Sequence, residues 1–259
     1  MIRLIASDID GTLLHGDETT IPTALFPLIR ELKKHNIYFT ACSGRQYHNL
    51  RTLFAPVADD IGYICENGNL VIWQNQILSR ETIDRKIGQA LMKEILAQPD
   101  CEVLLSGVHT CYMQPKDLDF LYLVRDLVGN QTTVVDDICA VEEPFLKISA
   151  YRKSGVDHKL AAQFQSFPPY LTPVVGRSTW MDFLRQGCDK GTALDILCNH
   201  LHIKSQQCIA FGDNENDIPV CGHVGTLYAM ADGYSGLISR ANHTTTSVVD
   251  EIQNILKTL

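Results

Sequence analysis

Short apolar runs that stop abruptly at acids, hydroxyls or glycine recur along this chain, and they constrain its fold more than any other feature. Residues 2–7 are apolar enough for a buried strand and lead into Asp8-Ile9-Asp10-Gly11-Thr12-Leu13. Residues 37–42 form a second such run, followed by Ser43-Gly44-Arg45, and residues 207–211 a third, followed by Gly212-Asp213-Asn214-Glu215-Asn216-Asp217. Strands that are apolar throughout, rather than at every second residue, belong to a sheet covered on both faces.

Helical patterns separate these runs. Thr20-Ile21-Pro22 opens one, Ala24, Leu25, Leu28, Ile29 and Leu32 recur at helical spacing, Lys33, Lys34 and His35 enrich its last turn, and Asn36 suits a left-handed cap. A helix over 46–54, a strand over 63–66 and a hairpin turn at Asn67-Gly68 between Ile64 and Val71 follow. In the second half, a helix over 192–202, a strand over 207–211, a short helix over 217–221, a strand over 225–230 and a closing helix over 247–259 continue the alternation. The pattern predicts an α/β fold with a Rossmann-like parallel sheet.

Between about residues 80 and 186 the texture changes. Helices over 83–97 and 117–128 mix with strand-like segments at 102–105, 145–151 and 180–184, which reads as an inserted α+β unit. The expected organisation is a core of residues 1–79 and 187–259 interrupted by a second domain over 80–186. At 259 residues the chain is long enough for both.

Charge narrows the function. The insert holds 12 basic and 14 acidic residues and the flanks 10 and 16, so most of the net charge of -8 lies on the core. That is a poor match for nucleic acid and an invitation to a divalent cation. No apolar run approaches the roughly 18 residues of a membrane span, and the apolar run at residues 2–7 is too short for a signal peptide. The nine cysteines are an odd set with no C-x-x-C pair, which fits a reducing cytoplasm better than a disulfide framework or a zinc site. No histidines show metal-ligand spacing: His15, His48 and His109 stand alone, and His200 and His202 point to different helix faces.

The islands at the strand ends carry the chemistry. Asp8 and Asp10 would repel one another in an i, i+2 arrangement, which needs a reason beyond a solvated turn. Open α/β sheets bind ligands at the carboxyl ends of their strands. Ser43, Gly44 and Arg45 offer a hydroxyl, an approachable amide and a guanidinium at a helix start, a set of donors for an anion. Asp189-Lys190-Gly191-Thr192 adds a lysine where the chain returns from the insert.

In order and in spacing, these islands resemble the motifs of the haloacid-dehalogenase-like hydrolase superfamily, and specifically its Cof-type phosphatases with a C2-type α/β cap inserted after the third core strand. The match is D-x-D-G-T at Asp8, S-G-R at Ser43, D-K-G at Lys190 and G-D-x-x-N-D at Asp213, with family-like stretches at Glu66-Asn67-Gly68 and Tyr228-Ala229-Met230. The inserted unit is similar only in size and element order.

The resemblance implies a phosphoric monoester hydrolase that is Mg2+-dependent and acts on small phosphorylated metabolites such as sugar phosphates. Asp8 would be the nucleophile that forms an aspartyl-phosphate, and Asp10 the acid and base. Mg2+ would be held by Asp8, the backbone carbonyl of Asp10 and Asp213, an oxygen-only set suited to that ion. Ile9, Ser43, Gly44, Arg45, Lys190 and Asn216 would contact the phosphoryl group or substrate, with the Ser43-Gly44 backbone as part of the cradle. Asp217 would orient Lys190 or a metal-bound water. Tyr151, Arg177 and Trp180 are candidates to line a substrate pocket in the insert, although a tryptophan such as Trp180 is more often core.

A cytoplasmic monomer or weak homo-oligomer is expected. A phosphomutase or phosphotransferase of the phosphomannomutase type shares Asp8 and Asp10 and is the alternative enzyme; a noncatalytic metal-binding interaction module is the alternative outside enzymes.

Overall fold

The computed structural model describes residues 1–16, 18–175 and 179–259. In chain order the strands are β1 (Leu4–Ser7), β2 (Tyr38–Cys42), β3 (Gly62–Cys65), β4 (Leu70–Trp73), β5 (Gln76–Arg80), β6 (Glu102–Ser106) and β7 (Cys111–Met113). They continue as β8 (Thr132–Val134), β9 (Lys147–Tyr151), β10 (Leu171–Val175), β11 (Trp180–Arg185), β12 (Cys208–Gly212), β13 (Thr226–Met230) and β14 (His243–Thr245). The helices are α1 (Leu25–Lys34), α2 (Tyr47–Leu53), α3 (Arg85–Leu96), α4 (Leu118–Tyr122), α5 (His158–Ala161), α6 (Lys190–His200), α7 (Ser235–Ile238) and α8 (Val248–Lys257).

The chain divides into two compact units, Met1–Ser79 with Asp189–Leu259, and Arg80–Cys188. In the first, a sheet runs in the order β14-β13-β12-β1-β2-β3-β4-β5. It is parallel from β14 to β3 and turns antiparallel at β4, where Ile64 lies opposite Val71 as the hairpin signal predicts. The sheet is therefore mixed at one edge, and two further strands follow β3 before the chain leaves for the second unit. Leu4 and Ala6 of β1 join Ile64, Val71 and Ala210 beneath Leu194 and Leu197 of α6. Ile5 points the other way and is equally buried, so both faces are covered.

The second unit is built on a sheet of order β10-β11-β9-β6-β7-β8, antiparallel except for the β7–β8 pair. Leu91, Met92 and Ile95 of α3 seal one face against Val103, Leu105, Ile148, Ala150, Met181 and Phe183. On the other face Phe120 and Val124 cover Leu104 and Met113. The helix expected over 117–128 is α4 followed by a wider turn over Leu123–Leu127, closed by the Val128 N–H on the Leu123 carbonyl. Among the described residues no helix is long and apolar enough to cross a membrane. All nine cysteines are thiols.

Candidate active site

The β1–β12 ladder ends where the Asp8 N–H donates to the Phe211 carbonyl, 3.0 Å away, so Asp8 is the first residue past the strand. Asp213 occupies the same place beyond β12. Lys190 is the first residue of α6, fixed by a reciprocal cap in which Asp189 Oδ1 accepts the Thr192 N–H and Thr192 Oγ1 accepts the Asp189 N–H. This start lies two residues before the predicted Thr192 because Asp189 caps the helix. Lys190 Nζ donates to Asp8 Oδ1 and to Asp217 Oδ1, each at 2.7 Å. Asp217 Oδ2 accepts the Asp213 and Asn214 N–H groups at 3.0 and 3.1 Å, so both its oxygens are engaged.

Asp8, Asp213 and Asp217 each offer a carboxylate oxygen within 4.8 Å of the others. Three carboxylates therefore surround one ammonium. Burial pushes the Asp8 carboxyl well above its usual range; Lys190 opposes this, and Asp217 and Asp213 add to it. Asp213 is raised to about 6, by burial and then by Asp217. Burial alone would depress Lys190, but Asp217 and Asp8 outweigh it and hold the amine firmly protonated. One ammonium leaves an excess of negative charge in a buried place, and an oxygen-only cluster of this kind fits a hard divalent cation. Thr12 Oγ1 donates to Asp213 Oδ1 at 3.4 Å, a support for Asp213 that the sequence reading did not single out.

Asp10 turns toward the second strand end. Arg45 grips it with two bonds, Nε to Oδ2 and Nη2 to Oδ1, both 2.7 Å, while Nη1 donates to Asn49 Oδ1 at 2.8 Å. Arg45, predicted to reach a substrate, here forms a fork with the predicted acid and base. The Ser43 N–H donates to the Ile64 carbonyl, continuing the β2–β3 ladder, which corrects the expectation that this amide belongs to a phosphoryl cradle. In the same loop Ser43 Oγ accepts the Arg45 N–H at 3.2 Å, so the hydroxyl hydrogen can donate to an anion. The Ile9 side chain is fully buried and its carbonyl accepts the Thr12, Leu13 and Leu14 N–H groups, so any ligand contact it makes is through its peptide N–H.

Asn216 Nδ2 donates to Asn67 Oδ1 at 3.1 Å, which brings the turn after β3 to the site. In the sequence Asn67 is half of a hairpin signal and part of a family-like stretch, with no role at the site assigned to it. Among the candidates in the insert, Tyr151 and Trp180 stack with each other and with Phe120, centroids 4.9 to 5.9 Å apart. Arg177 lies outside the described residues. His15, His48 and His109 are exposed, and His202 follows the end of α6 in a left-handed conformation.

Comparison with known proteins matches residues 5–255 to the haloacid dehalogenase-like hydrolase family. Two curated relatives span nearly the whole chain. The 5-amino-6-(5-phospho-D-ribitylamino)uracil phosphatase YbjI of Escherichia coli K12 is 24% identical over 262 residues, covering 99% of this chain and 97% of that protein. The HMP-PP phosphatase of Enterobacter sp. 638 is 25% identical over 260 residues, covering 94% and 89%. Among solved structures, a subclass IIB sugar phosphatase superposes with a TM-score of 0.82 at 17% identity, covering 99% of this chain and 97% of that one, which is a likeness of fold.

Proposed function

The chain belongs to the haloacid dehalogenase-like hydrolases, and we propose that it is a Mg2+-dependent phosphatase that cleaves small phosphorylated metabolites through an aspartyl-phosphate. The observation that carries this reading is the cluster of Asp8, Asp213 and Asp217 around the buried Lys190 ammonium at the carboxyl ends of β1 and β12. Asp8 and Asp213, with the Asp10 carbonyl, would hold the ion, because both Asp217 oxygens serve Lys190 and the backbone. When bound, Mg2+ supplies positive charge against the carboxylates and the phosphoryl oxygens.

The residues divide the work. An Asp8 oxygen attacks phosphorus as the leaving alkoxide departs, and Asp10 gives that alkoxide its proton; in the second half Asp10 takes a proton from the attacking water. The Arg45 fork presents N–H donors to both Asp10 oxygens, an arrangement that suits the carboxylate needed for that second half. Proton donation in the first half requires the guanidinium to move from Asp10 toward the phosphoryl oxygens. Lys190 keeps Asp8 oriented and offsets its charge, and the Ser43 hydroxyl, Gly44 N–H and Asn216 amide receive the charge spread over the equatorial oxygens.

The substrate class rests on the relatives: one named substrate carries a phosphoribityl group, and the structural neighbour is named a sugar phosphatase. We assign a polyol or sugar phosphate to this chain, the choice among them to the inserted unit, and its place to the cytoplasm, where nine thiols stay reduced. The test is phosphate release across a panel of phosphorylated metabolites, with Mg2+ and with chelator. Release that needs Mg2+ and disappears in Asp8→Asn supports the reading; release that persists in chelator or in pure Asp8→Asn overturns it.

A further inference from the structure

The turn Glu66–Gly68 after β3 is fully buried yet holds three consecutive residues in the left-handed region, Glu66 at φ 52°, Asn67 at φ 57° and Gly68 at φ 111°. Non-glycine residues in that region carry roughly 1–3 kcal/mol of strain each and persist there only when their surroundings enforce it, and such strain gathers at functional sites. Asn67 is among the residues that tolerate it best.

The surroundings are the strand-end loops themselves. The Glu66 N–H donates to the Arg45 carbonyl at 3.1 Å and the Asn67 N–H to the Ser43 carbonyl at 3.0 Å. The Asn67 amide lies against Gly44 so closely that a Cβ there would meet its Nδ2 and Oδ1 at 3.1 Å. Its Oδ1 accepts Asn216 Nδ2 from the loop beyond β12. Gly68 is pressed on the Asp189 carbonyl that starts α6, where a Cβ would come within 2.3 Å. One turn thus touches the Ser43-Gly44-Arg45 loop, the Asn216 loop and the helix start that carries Lys190.

We infer that Asn67 is a positioning residue for phosphoryl binding: its amide fixes Asn216 and the Ser43-Gly44 loop at one spacing, so that donors from separate strand ends meet the same phosphoryl group. Asn216 has two amide hydrogens; the bond to Asn67 takes one and directs the other. A hydrolase of this kind needs such a brace because β1 lies between the strands that deliver the two loops. The inference rests on the phosphatase reading above.

The experiment is a double-mutant cycle with Asn67→Gly and Asn216→Ala on a generic aryl phosphate with Mg2+, reading KM, kcat, orthovanadate inhibition and the thermal midpoint. Glycine keeps the left-handed backbone and removes the side chain that carries the amide. Asn67→Gly should raise KM and weaken vanadate inhibition roughly 10- to 100-fold, the effect of one hydrogen bond to a charged group. The thermal midpoint should stay near that of the wild type. In the Asn216→Ala background the same change should cost less than about twofold, since coupled residues are not additive. An unchanged KM and vanadate response, or an equal loss in both backgrounds, would overturn the inference.

Asn67→Ser provides a second variant if glycine unfolds the turn: it keeps a small polar side chain whose hydroxyl falls short of the Asn216 amide. Its KM should rise as in Asn67→Gly, and a wild-type KM overturns the inference. Wild type and Asp8→Asn run alongside. A wild type that releases no phosphate fells the phosphatase reading and this inference together, whereas an active wild type with unaffected Asn67 variants fells the inference alone.

Discussion

At the carboxyl ends of β1 and β12, the buried Asp8 and Asp217 share one ammonium with the half-buried Asp213 beside them; on the sheet of the second unit, Lys147 faces Asp182. Lys147 Nζ lies 3.1 Å from Asp182 Oδ2, and Ser149 Oγ donates to Asp182 Oδ1 at 2.6 Å. Both arrangements are buried and both are costly to desolvate. The second sets one charge of each sign together. The first carries an excess of negative charge that the fold does not offset, and that excess is what separates a site from a structural ion pair.

The contrast is broken most directly by changing charge at the first site. Asp8→Asn and Lys190→Met should each lower turnover on the order of 10⁴- to 10⁶-fold, the scale seen when a nucleophile or its partner is removed. Asp213→Asn should also abolish activity, yet raise the thermal midpoint of the metal-free protein, because it removes a carboxylate that its neighbours repel. Asp182→Asn should do the opposite and lower the midpoint. Equal signs for the two substitutions, measured by calorimetry without metal, would erase the distinction.

Asp10→Asn comes next. Loss of a general acid and base costs roughly 10² to 10⁴ in turnover. Substrates with good leaving groups should lose less, since they need the proton less. Single-turnover kinetics across a series of aryl phosphates measures this, and a uniform loss would assign Asp10 a geometric role through its fork with Arg45.

How much of this was legible beforehand follows the same division. The first unit announces itself because apolar strands end on residues that a core cannot hold: Asp8, Ser43 and Asp213 mark three strand ends, and Lys190 opens a helix. Short or exposed strands are not so marked. β5 is largely solvent-facing, β7, β8 and β14 are three residues each, and β10 carries Pro173, so none shows a readable period. Asn67-Gly68 reads correctly as a turn, but its bond to Asn216 joins residues 149 apart, which local spacing cannot show. Lys147 and Asp182 are likewise an ordinary lysine and aspartate until β9 and β11 pair Ser149 with Asp182.

That pair in the second unit gives a smaller and purely structural effect. Removing one partner of a buried ion pair costs about 3–5 kcal/mol, whereas replacing both with apolar residues of similar volume is often close to neutral. Lys147→Met should therefore destabilise the protein strongly, and Lys147→Met with Asp182→Leu should recover most of the loss in urea denaturation. Mg2+ should change neither result. A double variant worse than both singles would mean that the pair is more than a structural contact.

The smallest effect is a pH dependence that only the first site should couple to metal. Asp213 is raised from 3.8 to about 6, so between those values the folded protein holds a proton that the unfolded chain has lost. Stability from this group is full below about pH 4 and is lost as pH rises through 6, by about 3 kcal/mol. Mg2+ competes with that proton, so the gain in thermal midpoint on adding Mg2+ should be near zero at pH 4.5 and grow through pH 6 to a plateau. Glu102 in the second unit is also raised by burial, with backbone N–H groups of Lys116 and Asp117 opposing the shift. Its pH slope has the same sign but involves no acidic cluster, so Mg2+ should leave it unaltered. Thermal melts of wild type, Asp213→Asn and Glu102→Gln from pH 4.5 to 7.5, with and without Mg2+, separate the two. The Mg2+ gain should vanish in Asp213→Asn and survive in Glu102→Gln; a gain that is flat with pH in the wild type, or that persists in Asp213→Asn, would remove Asp213 from the ion's binding set.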